Sequence, residues 1–276
     1  MPRQFLSMVR VELLKVFSRG SGIGALFVAV AVGLVVALAM KQVSGMQDQM
    51  SFNGQSVRGI VTFDMVQVGR WALWARNFFV LPLLLLLSTA GALAGEHADR
   101  TLRELVVRPV PRWSILVAKG LALSVLSALT LVLTAAVSLA LGYALLGAPA
   151  IDQSIATGGD SLSRLALGFM ASWASDLALI AVGMALSTFV RSVGGVVVSI
   201  VLLLMFDRAV WLVLKAASLL GLEAANTLVQ WTLVNAMGCW EGWESEFVIG
   251  QFVSVAVIAS AAWAVATLRF TRDDVP

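Results

Sequence analysis

The sequence predicts an all-α polytopic membrane protein, and three observations carry that prediction. The chain of 276 residues is 59% hydrophobic and only 13% charged, where soluble domains run to about 25% charged residues. Its mean hydropathy is +0.92. Several apolar runs reach the 18 or more residues that an α-helix needs to cross a bilayer core of about 30 Å. None of these runs shows the residue-by-residue alternation of a transmembrane β-barrel.

Taken in order, residues 1–19 form the first element. Phe5, Leu6, Val9, Leu13, Val16 and Phe17 fall on one helical face, with Arg3, Arg10, Glu12, Lys15 and Arg19 on the other. That pattern belongs to an amphipathic helix lying in the membrane interface. Gly20-Ser21-Gly22 turns it into span 1, residues 22–40. Ala37-Leu38-Ala39 resembles a signal-peptidase site, but the apolar run is too long for a signal sequence and the amphipathic preface is wrong for one.

Residues 41–76 are polar and close on Trp71 and Trp74, an aromatic pair of the kind that marks a membrane interface. Span 2 is assigned to 77–94. A charged connection follows, 96–112, and span 3 covers 115–146, long enough for its first turns to protrude from the bilayer. Connections that only turn a helical hairpin need about 2–8 residues. This one carries an amphipathic helix of its own, Arg100 to Val107, and a proline elbow at Pro109-Val110-Pro111.

Span 4 is predicted at 165–190, with Asp176 near its middle, and Arg191-Ser192 turns into span 5. Span 5 is assigned to 194–208, where Asp207-Arg208 interrupts the apolar run, and a straight continuation to Leu222 stands as the alternative. Residues 209–247 read as outer half-helices with a tryptophan belt and an acidic tip at Glu241, Glu244 and Glu246. Span 6 is 248–268. The whole of 1–276 is one transmembrane domain.

Six spans place both termini on one side, and the positive-inside rule chooses the side. The half of the chain that includes the termini and residues 96–119 carries twelve Lys and Arg, against seven on the other half. Both termini are therefore expected in the cytoplasm. Because the cations flank spans, the net charge of +3 does not indicate nucleic acid.

The chemistry of an ATPase or hydrolase is missing from the sequence. No Walker A, HExxH or GxSxG motif occurs, His97 is the only histidine and Cys239 the only cysteine. No catalytic, cofactor-binding or metal-binding residue is assigned, and the chain is not read as an enzyme. Asp176 is costly in hydrocarbon unless it is paired. Counting equal helical lengths from the turn at Arg191-Ser192 puts Asp176 and Arg208 at matching depth, which predicts an ion pair between them. Span 4 also sets Gly168, Ser172, Asp176, Gly183 and Ser187 on one stripe, a candidate surface for close helix association between two copies. Spans 1 and 5 are the other candidates.

The charged connection carries a family likeness. Glu96, Arg100-Thr101-Leu102-Arg103-Glu104-Leu105, Arg108-Pro109-Val110-Pro111-Arg112 and Lys119 resemble the first cytoplasmic loop of ABC-2 type transporter permeases, the membrane subunits of bacterial ABC exporters. Arg100 stands where the family has a glycine. The resemblance implies a dimer with a second permease copy or a paralogue, seated on two copies of a separate cytoplasmic ATPase that binds ATP and Mg²⁺. It implies a multi-pass protein of the bacterial inner membrane, with Glu96, Arg100, Thr101, Leu102, Arg103, Glu104, Leu105, Arg108, Pro109 and Arg112 forming a coupling helix against that ATPase. The cargo stays open between a lipid, a peptide, an antibiotic and energy delivered to a periplasmic partner. Two other readings compete with the exporter. One is a membrane-embedded enzyme and the other an ion-driven secondary transporter, both built on Asp176 and Arg208.

Overall fold

Hydrophobic length alone accounts for most of the architecture seen in the computed structural model. The structure describes residues 2–47, 51–52, 55–56, 64–78, 80–98, 111–148, 161–190, 192–232 and 248–272. Nine helices occur among them: α1 (Pro2–Ser18), α2 (Gly20–Gln47), α3 (Met65–Phe78), α4 (Val80–Ala98), α5 (Arg112–Leu146), α6 (Ser161–Phe189), α7 (Val193–Leu219), α8 (Glu223–Val229) and α9 (Val248–Arg272). The only strand pairing described is a two-residue one, Ser51–Phe52 against Gln55–Ser56. Among the described residues five helices are long and apolar enough to cross a membrane, or six with the bent pair α3–α4 counted as one span. The protein is a polytopic all-α membrane protein.

The 35-residue α5 is the axis of the fold. It is about 52 Å long at 1.5 Å per residue, and α1, α2, α3, α6 and α9 all pack on it. Pro111 stands immediately before it and Gly147 ends it, with φ of 92° and its N–H bonded to the Tyr143 carbonyl. α9 lies along α6, while α4 lies between α6 and α7. The main apolar core sits where α1, α4, α5, α6 and α9 converge, around Val16, Leu93, Leu116, Leu123, Met184 and Phe270.

The corner between α1 and α2 shows why the chain turns at Gly20-Ser21-Gly22. A Cβ on Gly22 would stand 2.1 Å from the Val16 carbonyl oxygen, so only hydrogen fits there. At the other hairpin Ser192 caps α7, its hydroxyl accepting from the Gly195 N–H at 3.1 Å.

Two span assignments change. Span 2, expected at 77–94, extends from Met65 as two helices whose axes differ by 46°. Pro82 supplies the physical reason, because it has no N–H for the Phe78 carbonyl and its ring crowds that carbonyl; Phe78 is where α3 ends. For span 5 the alternative reading is the one seen: α7 continues past Arg208 to Leu219, and the chain then turns at Gly221, where φ is 89°. The outer segment is represented by α8, which folds back on α7. The coupling helix expected over 100–107, with Arg100, Thr101, Leu102, Arg103, Glu104, Leu105, Arg108 and Pro109, lies outside the described residues. So do Arg191, Cys239, the acidic tip Glu241, Glu244 and Glu246, and the His97 side chain.

Candidate functional site

Two buried charge networks stand out. The first lies at the end of the bundle where both termini are found. It joins the two helices that lead into and out of residues 99–110. Glu96 is on the last turn and a half of α4, and Lys119 is two turns into α5. Lys119 Nζ stands 2.8 Å from Glu96 Oε2 and donates to Glu12 Oε2 at 3.0 Å. Lys15 Nζ donates to Glu96 Oε1 at 2.8 Å and to Glu12 Oε1 at 3.3 Å. The result is a ring of two ammonium groups and two carboxylates, alternating in sign. Glu12, Glu96 and Lys119 are 4%, 2% and 1% exposed.

The ring needs α1 to bury the arc that holds Glu12 and Val16 (four residues apart), although the amphipathic pattern assigns Glu12 to the polar face. Leu6 and Leu14 are correspondingly left exposed. Burial opposes the charge on Lys15, yet its hydrogen bond to Glu96 and the charges of Glu96 and Glu12 outweigh that opposition and hold its pKa above the ordinary lysine value. Two further clasps reinforce this end. Arg19 donates to the Gly91 carbonyl of α4 at 2.7 Å, and Arg112 at the start of α5 reaches the Thr271 carbonyl of α9 at 3.4 Å.

Glu96 and Arg112 thus both make contacts within the chain, Glu96 wholly inside it. Glu12 and Lys15 were not singled out by sequence reasoning. Their i, i+3 spacing was the available signal, but it is common on solvated faces.

The second network is about midway along α5. Arg76, at the end of α3, is fully buried. Its Nη2 donates to Asp176 Oδ2 of α6 at 2.5 Å and to Thr130 Oγ1 of α5 at 3.2 Å. Its Nη1 donates to Asn77 Oδ1 at 2.7 Å and to Ser172 Oγ at 3.1 Å. Ser127 donates to the same Asp176 oxygen at 2.6 Å. The cluster ties α3, α5 and α6 together on the side of the α3–α4 break away from Glu96. Arg76 Nε and Asn77 Nδ2 are buried without a partner.

This arrangement corrects the expected pairing of Asp176 with Arg208. The partner of Asp176 is Arg76, and Arg208 is exposed on α7 with its guanidinium 5.2 Å from the Trp211 ring centre. Matching depth was not enough, because α6 turns its Asp176 arc toward α3 and α5 and away from α7. Arg76 escaped notice because span 2 was started one residue after it. The span 4 stripe is likewise used inside the chain. Ser172, Asp176 and Ser187 are buried, and a Cβ on Gly183 would stand 2.3 Å from Thr89 Oγ1 of α4. No group of three metal-ligating side chains occurs among the described residues.

Both networks fall within residues 8–206, and that stretch matches the family model described as ABC-2 family transporter protein. The chain belongs to the ABC-2 transporter family. No curated protein matches it. The permease is therefore a multi-pass transport subunit whose family works with an ABC ATPase, and the four residues of the charge ring are all part of the matched region.

Proposed function

We propose that this permease is the membrane subunit of an ATP-driven exporter, with residues 97–111 forming the contact to a separate cytoplasmic ATPase. The observation that carries the reading is the ring of Glu12, Lys15, Glu96 and Lys119. A pull on the segment between Glu96 and Lys119 reaches α4, α5 and α1 together, because each is held through buried ion pairs that are costly to separate one at a time. The polar cluster at Arg76 and Asp176 continues the linkage upward, from α5 to α3 and α6. A load applied at the foot of the bundle is thus delivered to three helices, α3, α5 and α6, at mid-depth. On this reading the termini are cytoplasmic, two ATPase copies bind ATP and Mg²⁺ beneath two permease copies, and the bacterial inner membrane is the location.

The second copy meets the permease on a face other than span 4, whose small residues are already used. The outward faces of α2 and α7 are the ones left for it, Phe27 and Val35 on α2 and Val198 and Leu202 on α7 being exposed. The enzyme and ion-driven alternatives drew on Asp176 and Arg208; here Asp176 is bound by Arg76 and Ser127, a use that supports the structural role.

Leu105→Asp and Arg103→Glu test the proposal. Each is expected to abolish co-purification of the ATPase, or to leave ATP hydrolysis uncoupled from transport, with the spans still folded. Normal association and normal coupled transport in both variants would overturn it.

A further inference from the structure

The cluster around Arg76 holds its guanidinium by the end. Nη1 and Nη2 between them make four hydrogen bonds, to Asn77, Ser172, Thr130 and Asp176. An arginine grips a carboxylate most firmly with two parallel N–H groups, one to each oxygen. Here the contact is single. Both bonds that Asp176 accepts, from Arg76 and Ser127, fall on Oδ2, and Oδ1 has no hydrogen bond among the described residues. Arg76 Nε is correspondingly buried without a partner among them. Turning the guanidinium to bring Nε onto Oδ1 would break the bonds that fix its other end to Thr130 of α5 and Ser172 of α6.

Asn77 adds a second open donor. Its Oδ1 accepts from Arg76 Nη1 at 2.7 Å and from Ser172 Oγ at 2.9 Å, which fixes the amide, and Nδ2 is buried without a partner among the described residues. Flipping the amide would set its N–H groups against those of the guanidinium. Arg76, Asn77 and Asp176 are 0%, 8% and 2% exposed, and donors and acceptors left open at such depth are costly. The span also breaks here. α3 ends at Phe78, and Pro82 offers no N–H to the Phe78 carbonyl. Broken helices are tolerated in membranes where ordered water, among other groups, meets the freed backbone.

The open groups decide the class of ligand. Two are N–H donors and one is a carboxylate oxygen. An anion would meet the open oxygen of Asp176, a metal cation would meet the guanidinium, and an apolar group would satisfy none of the three. What fits is a small neutral molecule that both accepts and donates. We infer that the cluster binds internal water, which accepts from Arg76 Nε and Asn77 Nδ2 and donates to Asp176 Oδ1. Buried water makes about three such bonds, to groups that otherwise have no partner. It completes the Arg76–Asp176 pair through solvent where the direct fork is held open. The site requires no ATPase, second copy or cargo, so it stands apart from the coupling reading.

A crystal structure of the unaltered permease that resolves ordered water tests the site. A peak is expected within hydrogen-bonding distance of both Arg76 Nε and Asp176 Oδ1, and it should carry no anomalous signal in crystals soaked in bromide. Nε bonded directly to Oδ1 overturns the proposal, as does another protein group filling the place. A bromide signal at Nε also overturns it, making the cluster an anion site. Proton-detected NMR of the permease in lipid bilayers, with isotope-labelled arginine, gives a second reading. The Arg76 Nε–H resonance, identified by its loss in Arg76→Lys, is expected to receive magnetisation from water although the side chain is buried. Absence of that transfer in the unaltered protein counts against bound water as decisively as a closed fork.

Discussion

Arg76 and Asp176 are 100 residues apart in the chain and joined by a 2.5 Å hydrogen bond in the middle of the bundle. Both are buried, at 0% and 2% exposure. Arg76→Met leaves a carboxylate alone in an apolar setting, and removing one partner of such a pair costs about 3–5 kcal/mol. Asp176→Asn is expected to cost less than Arg76→Met, because the amide still accepts from Ser127. Arg76→Met combined with Asp176→Leu should recover most of the loss, since paired apolar replacements of a buried ion pair are close to neutral. Thermal unfolding of the three variants in detergent checks the order; a double variant as unstable as Arg76→Met would refute it.

Lys119→Met should act at the foot of the bundle. It leaves Glu12 and Glu96 facing each other with Lys15 as their only counter-charge within the ring. The expected loss is again about 3–5 kcal/mol, together with faster proteolysis in residues 97–111 as α4 and α5 separate at their ends. Lys119→Arg, which keeps the charge, should preserve more stability than Lys119→Met. Unchanged melting and unchanged proteolysis in Lys119→Met would remove the ring from the account.

Alkaline pH should loosen the same ring. The Lys15 pKa is raised above its ordinary value of 10.5, so the folded state holds the proton more tightly than the unfolded chain does. Its contribution to stability is therefore complete below pH 10.5 and is lost as pH rises through the higher folded value. From Lys15 the melting temperature should not vary across neutral pH and should fall only above that point. A Lys15→Met variant should show a shallower alkaline decline than the unaltered protein.

Arg208→Ala should be mild. The guanidinium rests over Trp211 on an exposed face, and an exposed cation–π contact contributes about 0.5–1 kcal/mol. A loss as large as that of Arg76→Met would restore Arg208 as a structural partner.

Gly20 and Gly22 should respond oppositely to alanine. Nothing stands within 4 Å of a Cβ at Gly20, whereas one at Gly22 meets the Val16 carbonyl at 2.1 Å. Gly20→Ala removes backbone freedom at a helical position and should be neutral or stabilising by up to about 1 kcal/mol. Gly22→Ala should destabilise by more than about 1 kcal/mol, because the α1–α2 corner must shift. Equal melting temperatures for the two variants would contradict the tight corner.

Sequence by itself determined the polytopic all-α class, the helix ahead of the long apolar runs and the family likeness around Glu96 to Lys119. These are properties summed along the chain: hydropathy adds residue by residue, and Gly22, Pro111 and Ser192 act on their nearest neighbours. It could not determine which charges meet. Pairing depends on how each helix is rotated about its axis, and a depth count does not contain that rotation. Asp176 and Arg208 agree in depth but face different neighbours. Arg76 became visible only when the bend at Pro82 carried α3 into the bundle, because its own segment, Met65–Phe78, includes Arg70, Arg76 and Asn77 and reads as polar. Glu12 is the same case on α1. Periodicity assigns it to solvent, and Lys119 of α5, 3.0 Å away, joins Lys15 in making its burial favourable. Tertiary structure decided both networks, because an ion is stable in an apolar interior only where a distant part of the chain supplies its partner.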